Sequence, residues 1–363
     1  MTFILGNTPS PPGSSEPMTA TTSSFALTRP YARATYAPSL WQLSNTLLLY
    51  AVTIALMFVS LDWHYGITLL LSPVAAAAYL RLFMIGHDCS HESFMPRAWE
   101  NKVIGNLMGV LTNTPFDYWA RQHALHHRGN GNLDKRGDGD VLLMTAEEYE
   151  AAPFLERLFY RVYRNPIFLF GIAAPVHFVV LQRVPLGHQA KTVGGWASAI
   201  GTNLGIAIYY GALIAAFGWK AFLLVYGPVV FLSSALSGWL FYVQHQFQGS
   251  YFRRASDWKY QDAAVEGSSF YDLPRIFHWA CANIGYHHIH HLNPRVPNYR
   301  LPRCHAAHPE FQQATALGLG ESLSTARLSL WSEERNEFLT FSDLRALRRR
   351  WCIDRNAGAA RPF

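Results

Sequence analysis

HHIHH, residues 287–291, sets four histidines within five positions. On an α-helix His287, His290 and His291 (i, i+3, i+4) share one face, while His288 turns away. Two earlier stretches repeat the pattern. HALHH (123–127) spaces His123, His126 and His127 in the same way, and HDCSH (87–91) sets His87 and His91 one turn apart. A lone histidine is usually a surface or hydrogen-bonded residue, and His64, His188 and His308 are read so. Three clusters at helical ligand spacing ask for more. Imidazole suits zinc, copper, iron and nickel, and eight imidazoles exceed what one tetrahedral ion accepts. Two ions sharing them about equally would use them all. A zinc hydrolase built on HxxxH would use Asp88 as its base, and it would leave most of the set idle.

If the clusters serve one site, they must lie on one side of whatever the chain crosses. Five apolar stretches are membrane candidates: 42–61, 66–85, 167–184, 197–216 and 221–243. A helix needs about 20 apolar residues to cross, which four of them have. A sixth, 103–116, is too short and is interrupted by Asn106, Asn113 and Pro115. Between the second and third clusters an even number of crossings is required. The spans at 197–216 and 221–243 provide two, so 167–184 is expected to lie along the interface. Basic residues gather beside both termini: Arg29 and Arg33 before the first span, Arg97, Lys102 and Arg121 after the second, Arg253, Arg254 and Lys259 after the last. That side is expected to be cytoplasmic. The predicted fold is all-α and integral to the membrane. It has four transmembrane helices in two hairpins, under a cytoplasmic helical cap that carries the histidines.

Composition agrees. Half of the 363 residues are hydrophobic and 15% are charged, well below the charge of soluble domains. The net charge of +6 sits beside apolar spans instead of on a nucleic-acid-binding module, so no nucleic-acid partner is expected. Cys89, Cys281, Cys304 and Cys352 are too scattered for a disulfide framework. Residues 1–40, rich in Ser, Thr and Pro, read as a disordered tail. Residues 41–320 read as the membrane domain. Residues 321–363 read as one or two amphipathic cytoplasmic helices, whose run Arg348, Arg349, Arg350 could rest on anionic headgroups. The spans hold few ionisable residues, Arg81 and His177 among them, which argues against a metal-transport relay.

His245, directly after the last span and on the same expected side, is a ninth candidate ligand. Nine imidazoles would divide as five and four. Ligating imidazoles normally give their second nitrogen to a carboxylate or carbonyl, and Asp88, Glu92, Asp117, Asp134, Asp138, Asp140, Asp262 and Glu266 are the candidate acids.

The pattern HxxxH, HxxHH and a late HxxHH, with spans between, resembles the membrane fatty acid desaturases over roughly residues 40–320. GHDCSHESF and YDLPRIFHWACANIGYHHIHHLNPRVPNYRL are similar to the bacterial acyl-lipid ω6 (Δ12-type) branch, with Ser90 where that branch commonly has Gly. The resemblance implies a diiron centre ligated by His87, His91, His123, His126, His127, His287, His290 and His291, with His245 as a further ligand. No other catalytic residue and no organic cofactor is implied. The implied reaction is the O2-dependent insertion of a cis double bond into an acyl chain of a membrane lipid. Without an HPGG haem-binding segment in this chain, electrons would come from a separate ferredoxin or b-type cytochrome. The implied setting is a multi-pass protein of a bacterial inner membrane with its termini and site cytoplasmic. Diiron hydroxylases and ketolases of acyl chains, alkanes or carotenoids share the histidine pattern, and they are the alternative.

Overall fold

Helix α2 (Tyr36–Ser60) runs for 25 residues without a charge, and a four-residue turn joins it to α3 (Tyr65–Ser90). His64 caps α3, its Nδ1 accepting from the Gly66 amide at 2.9 Å. The two helices pack closely because α3 presents small residues: Ala75, Ala76 and Ala78 are fully buried. Tyr50, Ile54 and Met57 of α2 meet Leu82 and Ile85 of α3 in the largest apolar core among the described residues, which Val225 and Val229 complete. The second hairpin is α10 (Val193–Phe217) and α11 (Trp219–His245), turned at Gly218, whose φ of 83° suits glycine. Leu204 and Ile208 on α10 stay exposed, as a lipid-facing surface would. This computed structural model describes residues 22–137 and 139–356.

α4 (Ala98–Leu111) is 14 residues long, about 21 Å, too short to cross as the sequence suggested. It turns back at Asn113 (φ 57°) into α5 (Phe116–Gly129). The turn is tight, since a Cβ on Gly105 would lie 2.3 Å from the Phe116 ring.

Pro166–Lys191 is long and apolar enough to be a fifth crossing, but its path is broken. A short α8 (Pro166–Phe168), a π-turn over Leu169–Ala173, α9 (Ala174–Val179) and two 3-10 turns follow one another. Both ends lie at the histidine end of the bundle. Arg164, just before it, donates to Gln246 Oε1 at 2.6 Å, beside His245; Gln189, near its end, accepts from Arg121 Nε at 2.8 Å, two residues before His123. The segment enters between the helices, where Phe178 packs on Phe83, and folds back. This stretch is therefore bent back on itself against α3 and α11, with both ends at the histidine end.

The cap holds the remaining helices: α1 (Thr22–Thr28), α6 (Ala146–Ala151), α7 (Phe154–Tyr163), α12 (Tyr260–Val265), α13 (Arg275–Ala280), α14 (His287–Leu292), α15 (Leu301–Ala307), α16 (Leu319–Thr325) and α17 (Phe341–Asn356). Two very short sheets, absent from the all-helical expectation, fasten it. β2 (Phe270–Tyr271) pairs in parallel with β3 (Ala316–Leu317), and β1 (Met144–Thr145) pairs in parallel with β4 (Leu330–Ser332). β4 is also one arm of a hairpin with β5 (Glu337–Leu339). The C-terminal part is thus helix, hairpin, helix, and not one or two helices alone. Trp331 and Phe338 on the hairpin are completely buried, and that burial outweighs the polar composition around them.

The expected tail needs correcting as well. Residues 1–21 lie outside the described residues, but residues 22–40 are ordered. Asn293 Nδ2 donates to Thr28 Oγ1 at 2.7 Å, the Thr35 amide donates to Tyr299 Oη at 3.0 Å, and α2 already begins at Tyr36. Cys89, Cys281 and Cys304 are buried and unpaired.

Candidate metal centre

Four stretches deliver nine imidazoles to one place. His87 and His91 end α3, His123, His126 and His127 fill the last turns of α5, His245 ends α11, and α14 supplies His287, His290 and His291. They fall into two groups, within each of which the ligand atoms lie inside 4.8 Å of one another. His87, His91, His123, His127 and His290 form the first; His126, His245, His287 and His291 form the second. Successive helical residues differ by about 100°, so adjacent histidines must part. In α5 the i and i+4 pair, His123 and His127, joins the first group and His126 the second. In α14 the roles are exchanged: His287 and His291 join the second group and His290 the first. His288 faces away, fully buried beside His305 and Phe311.

The Nε2 atoms converge. His127 Nε2 lies 3.0 Å from those of both His123 and His290, and His245 Nε2 lies 3.0 Å from that of His287. His126 Nε2 is 3.3 Å from His291 Nε2. The outer nitrogens show which way the protons sit. His126 Nδ1 donates to Asp140 Oδ1 at 2.5 Å, and His245 Nδ1 donates to the Gly267 carbonyl at 3.1 Å. Each of those rings therefore turns a bare Nε2 lone pair inward. Buried lone pairs are costly unless something meets them, and one cation per group would meet all of them at once. His91 Nε2, His127 Nδ1 and His287 Nδ1 are also buried without a hydrogen-bond partner. Burial first, and then the neighbouring imidazoles, holds His123, His127, His287, His290 and His291 well below the usual histidine range. Neutral rings are what a metal ligand requires. The clusters are able to bind metal, and their all-imidazole donor set fits iron.

Of the eight candidate acids, two meet the imidazoles. Asp140 holds His126. Asp88 Oδ1 is 3.2 Å from His87 Nδ1, while its Oδ2 accepts from the Asn298 amide at 2.8 Å and from Asn298 Nδ2 at 2.7 Å, which ties the first cluster to the chain after the last. Glu92 pairs with Arg295, Asp117 with Lys102 and Asp134 with Arg254. Asp262 and Glu266 meet no imidazole among the described residues, and Asp138 lies outside them. Three further contributors escaped the sequence reading. The Gly267 carbonyl carries no side-chain signal. Trp119 stacks on His123 (4.6 Å, 12°) and Phe241 flanks both His126 and His245; each sits four residues before a candidate ligand, the spacing that could have pointed to it.

An α-helical bundle of long apolar spans with buried paired imidazole groups at one end defines a class of membrane-embedded metalloenzymes. The profile of the fatty acid desaturase family matches residues 62–321, and the chain belongs to that family. It is 42% identical over 306 residues, 84% of this chain and 86% of the relative, to a fatty acid desaturase of Bacillus subtilis (strain 168). It is 29% identical to an sn-1 oleoyl-lipid 12-desaturase of Synechocystis over 62% of this chain and 63% of the relative. It is 27% identical to an sn-1 acyl-lipid omega-3 desaturase (ferredoxin) of Nostoc over 61% of each. The protein is a fatty acid desaturase, an oxidoreductase acting on acyl chains.

Proposed function

We propose that His87, His91, His123, His127 and His290 ligate one iron and His126, His245, His287 and His291 a second, and that the enzyme inserts a cis double bond at the Δ12/ω6 position of a membrane-lipid acyl chain. The observation that carries this is the five-and-four convergence of imidazoles. Overall, a –CH2–CH2– unit, O2, two electrons and two protons give –CH=CH– and two waters. Bound iron would supply the redox capacity, taking electrons and O2 and removing hydrogen from unactivated methylenes.

The protein's own residues supply the rest. Asp140 and the Gly267 carbonyl keep the Nδ1 protons of His126 and His245 outward, so both rings present Nε2. Trp119 and Phe241 cover the imidazoles with apolar rings and exclude water. Residues 41–320 form the catalytic unit. Its two hairpins admit an acyl chain from the bilayer, while the cap faces the electron donor. A ferredoxin or a b-type cytochrome is the donor we favour, and the ferredoxin in the Nostoc relative's name supports the first. The excess of Arg and Lys beside the histidine end supports a cytoplasmic site in a bacterial inner membrane. Position Δ12 rests on the Synechocystis likeness and on the GHDCSHESF and PNYRL segments.

The test is expression in a host that makes only monoenoic lipids, followed by locating any new double bond by mass spectrometry. Dienes with the second bond at Δ12 support the reading. Hydroxy or keto products in place of dienes would transfer the protein to the hydroxylase alternative.

A further inference from the structure

Outside the histidines, a cavity of about 770 Å³ opens between the strap before α2, the turn after α3 and the chain following α14. Arg33, Arg295 and Arg300 line it, with Glu92, Tyr36 and Met95. Among the described residues, the guanidinium groups of Arg33 and Arg300 have no hydrogen-bond or ion-pair partner. Arg295 has one, Glu92 Oε2 at 3.1 Å. Three cations against one carboxylate leave the cavity with two positive charges to spare. Glu92 itself holds a φ of 51°, in the left-handed region where a glycine would sit at less cost. Its carboxylate is held at the cavity by Arg295.

The cavity also has a depth. Trp41, one turn into α2, and Trp99, at the start of α4, are 73% and 61% exposed. Exposed tryptophans at the ends of apolar spans mark the membrane–water boundary. Tyr36, which lines the cavity, precedes Trp41 on α2, on the side away from the apolar span. The cavity is close in sequence to the imidazoles at two points: Glu92 follows His91, and Arg295 is four residues past His291. Arginine is the side chain best suited to phosphate, which its planar fork grips bidentately.

We propose that Arg33, Arg295 and Arg300 receive the phosphate of a lipid headgroup, so that this desaturase draws its acyl chain from an intact phospholipid. The inference rests on the membrane-lipid desaturase reading above and names the carrier of its substrate. Phosphate could also arrive on coenzyme A or as the free ion, and the probes must separate these. Full-length protein in detergent is titrated separately with short-chain phosphatidylglycerol, coenzyme A and inorganic phosphate, with binding read directly and without turnover.

Wild type is expected to bind the phosphatidylglycerol. Arg33→Ala and Arg300→Ala are expected to weaken that binding at least tenfold, at unchanged melting temperature and metal content. Glu92→Gln, which removes the counter-charge, is expected to tighten it several-fold, an opposite change that a merely structural role would not produce. Arg33 is exposed and unpartnered, so its variant tests the site without unfolding it. Unchanged affinity in both arginine variants would overturn the proposal, and so would coenzyme A or free phosphate binding as tightly as the lipid. If binding follows the expected pattern in protein that forms no double bond, the phosphate site stands and the desaturation reading alone fails.

Discussion

His126 and His127 are neighbours in the chain and belong to different groups, so substitutions at single residues can address one ion at a time. His245→Ala removes a candidate ligand from the four-histidine group only. Elemental analysis is expected to find iron falling from two per chain toward one, with activity lost; two retained irons would remove His245 from the ligand set. Asp140→Asn keeps the shape of the side chain but weakens its hold on His126 Nδ1. Supporting groups of this kind are worth about 10- to 100-fold in metal affinity. Chelator competition should show that loss for one ion and leave the other unchanged. The clustered histidines were legible because helical spacing exposes them, and His245 because it directly follows a span. Their partners were not: eight acids lie within reach in the sequence, and only folding brings Asp140, fourteen residues on, against His126. Nothing in the sequence could have chosen the Gly267 carbonyl.

Among elements, the crossing helices were readable from length and apolarity, because the bilayer imposes both. The C-terminal hairpin was not. Its strands are three residues long, and β4 finds its parallel partner at Met144–Thr145, a pairing with no local signature. The link from this hairpin to the site is Arg164. It is buried, donating to Tyr242 Oη at 3.1 Å, Gln246 Oε1 at 2.6 Å and the Leu328 carbonyl at 2.6 Å. It thereby joins the last turn of α11, which carries His245, to the chain entering β4. Arg164→Met leaves Gln246 Oε1 buried and unmet, at about 1–3 kcal/mol, while the Leu328 carbonyl keeps the Tyr242 hydroxyl as its donor. A loss of roughly 2 kcal/mol is expected in denaturant unfolding. A change under about 0.5 kcal/mol, the size typical of surface substitutions, would show that this link carries no stability. Residues 22–35 were misjudged for a similar reason: their Ser- and Thr-rich composition is that of a tail, yet the Thr28 hydroxyl and the Thr35 backbone amide dock on the segment after α14.

For the whole molecule, stability should follow both metal and pH. A ligand held only by the folded state stabilises it by mass action, so stripping iron with a chelator should lower the melting temperature and re-adding ferrous iron should restore it. Acid acts through the cap as well. Burial holds His278 and His305 below the ordinary histidine range, against the opposing pull of Asp272. In the unfolded chain they would titrate near pH 6.5, so below that pH the unfolded state binds more protons and stability falls as pH drops. The melting temperature of metal-free protein is expected to decline from pH 7.5 to 5.5, and His305→Gln should make that decline shallower. An equally steep decline in the variant would clear His305 of any part in it. The interleaving of the two imidazole groups has a last consequence, for biogenesis. Each group needs a residue of the 287–291 stretch, so no nascent chain that stops short of it can complete either site. On the proposed ligand set, iron must be loaded after both hairpins have been made and residues 287–291 have left the ribosome.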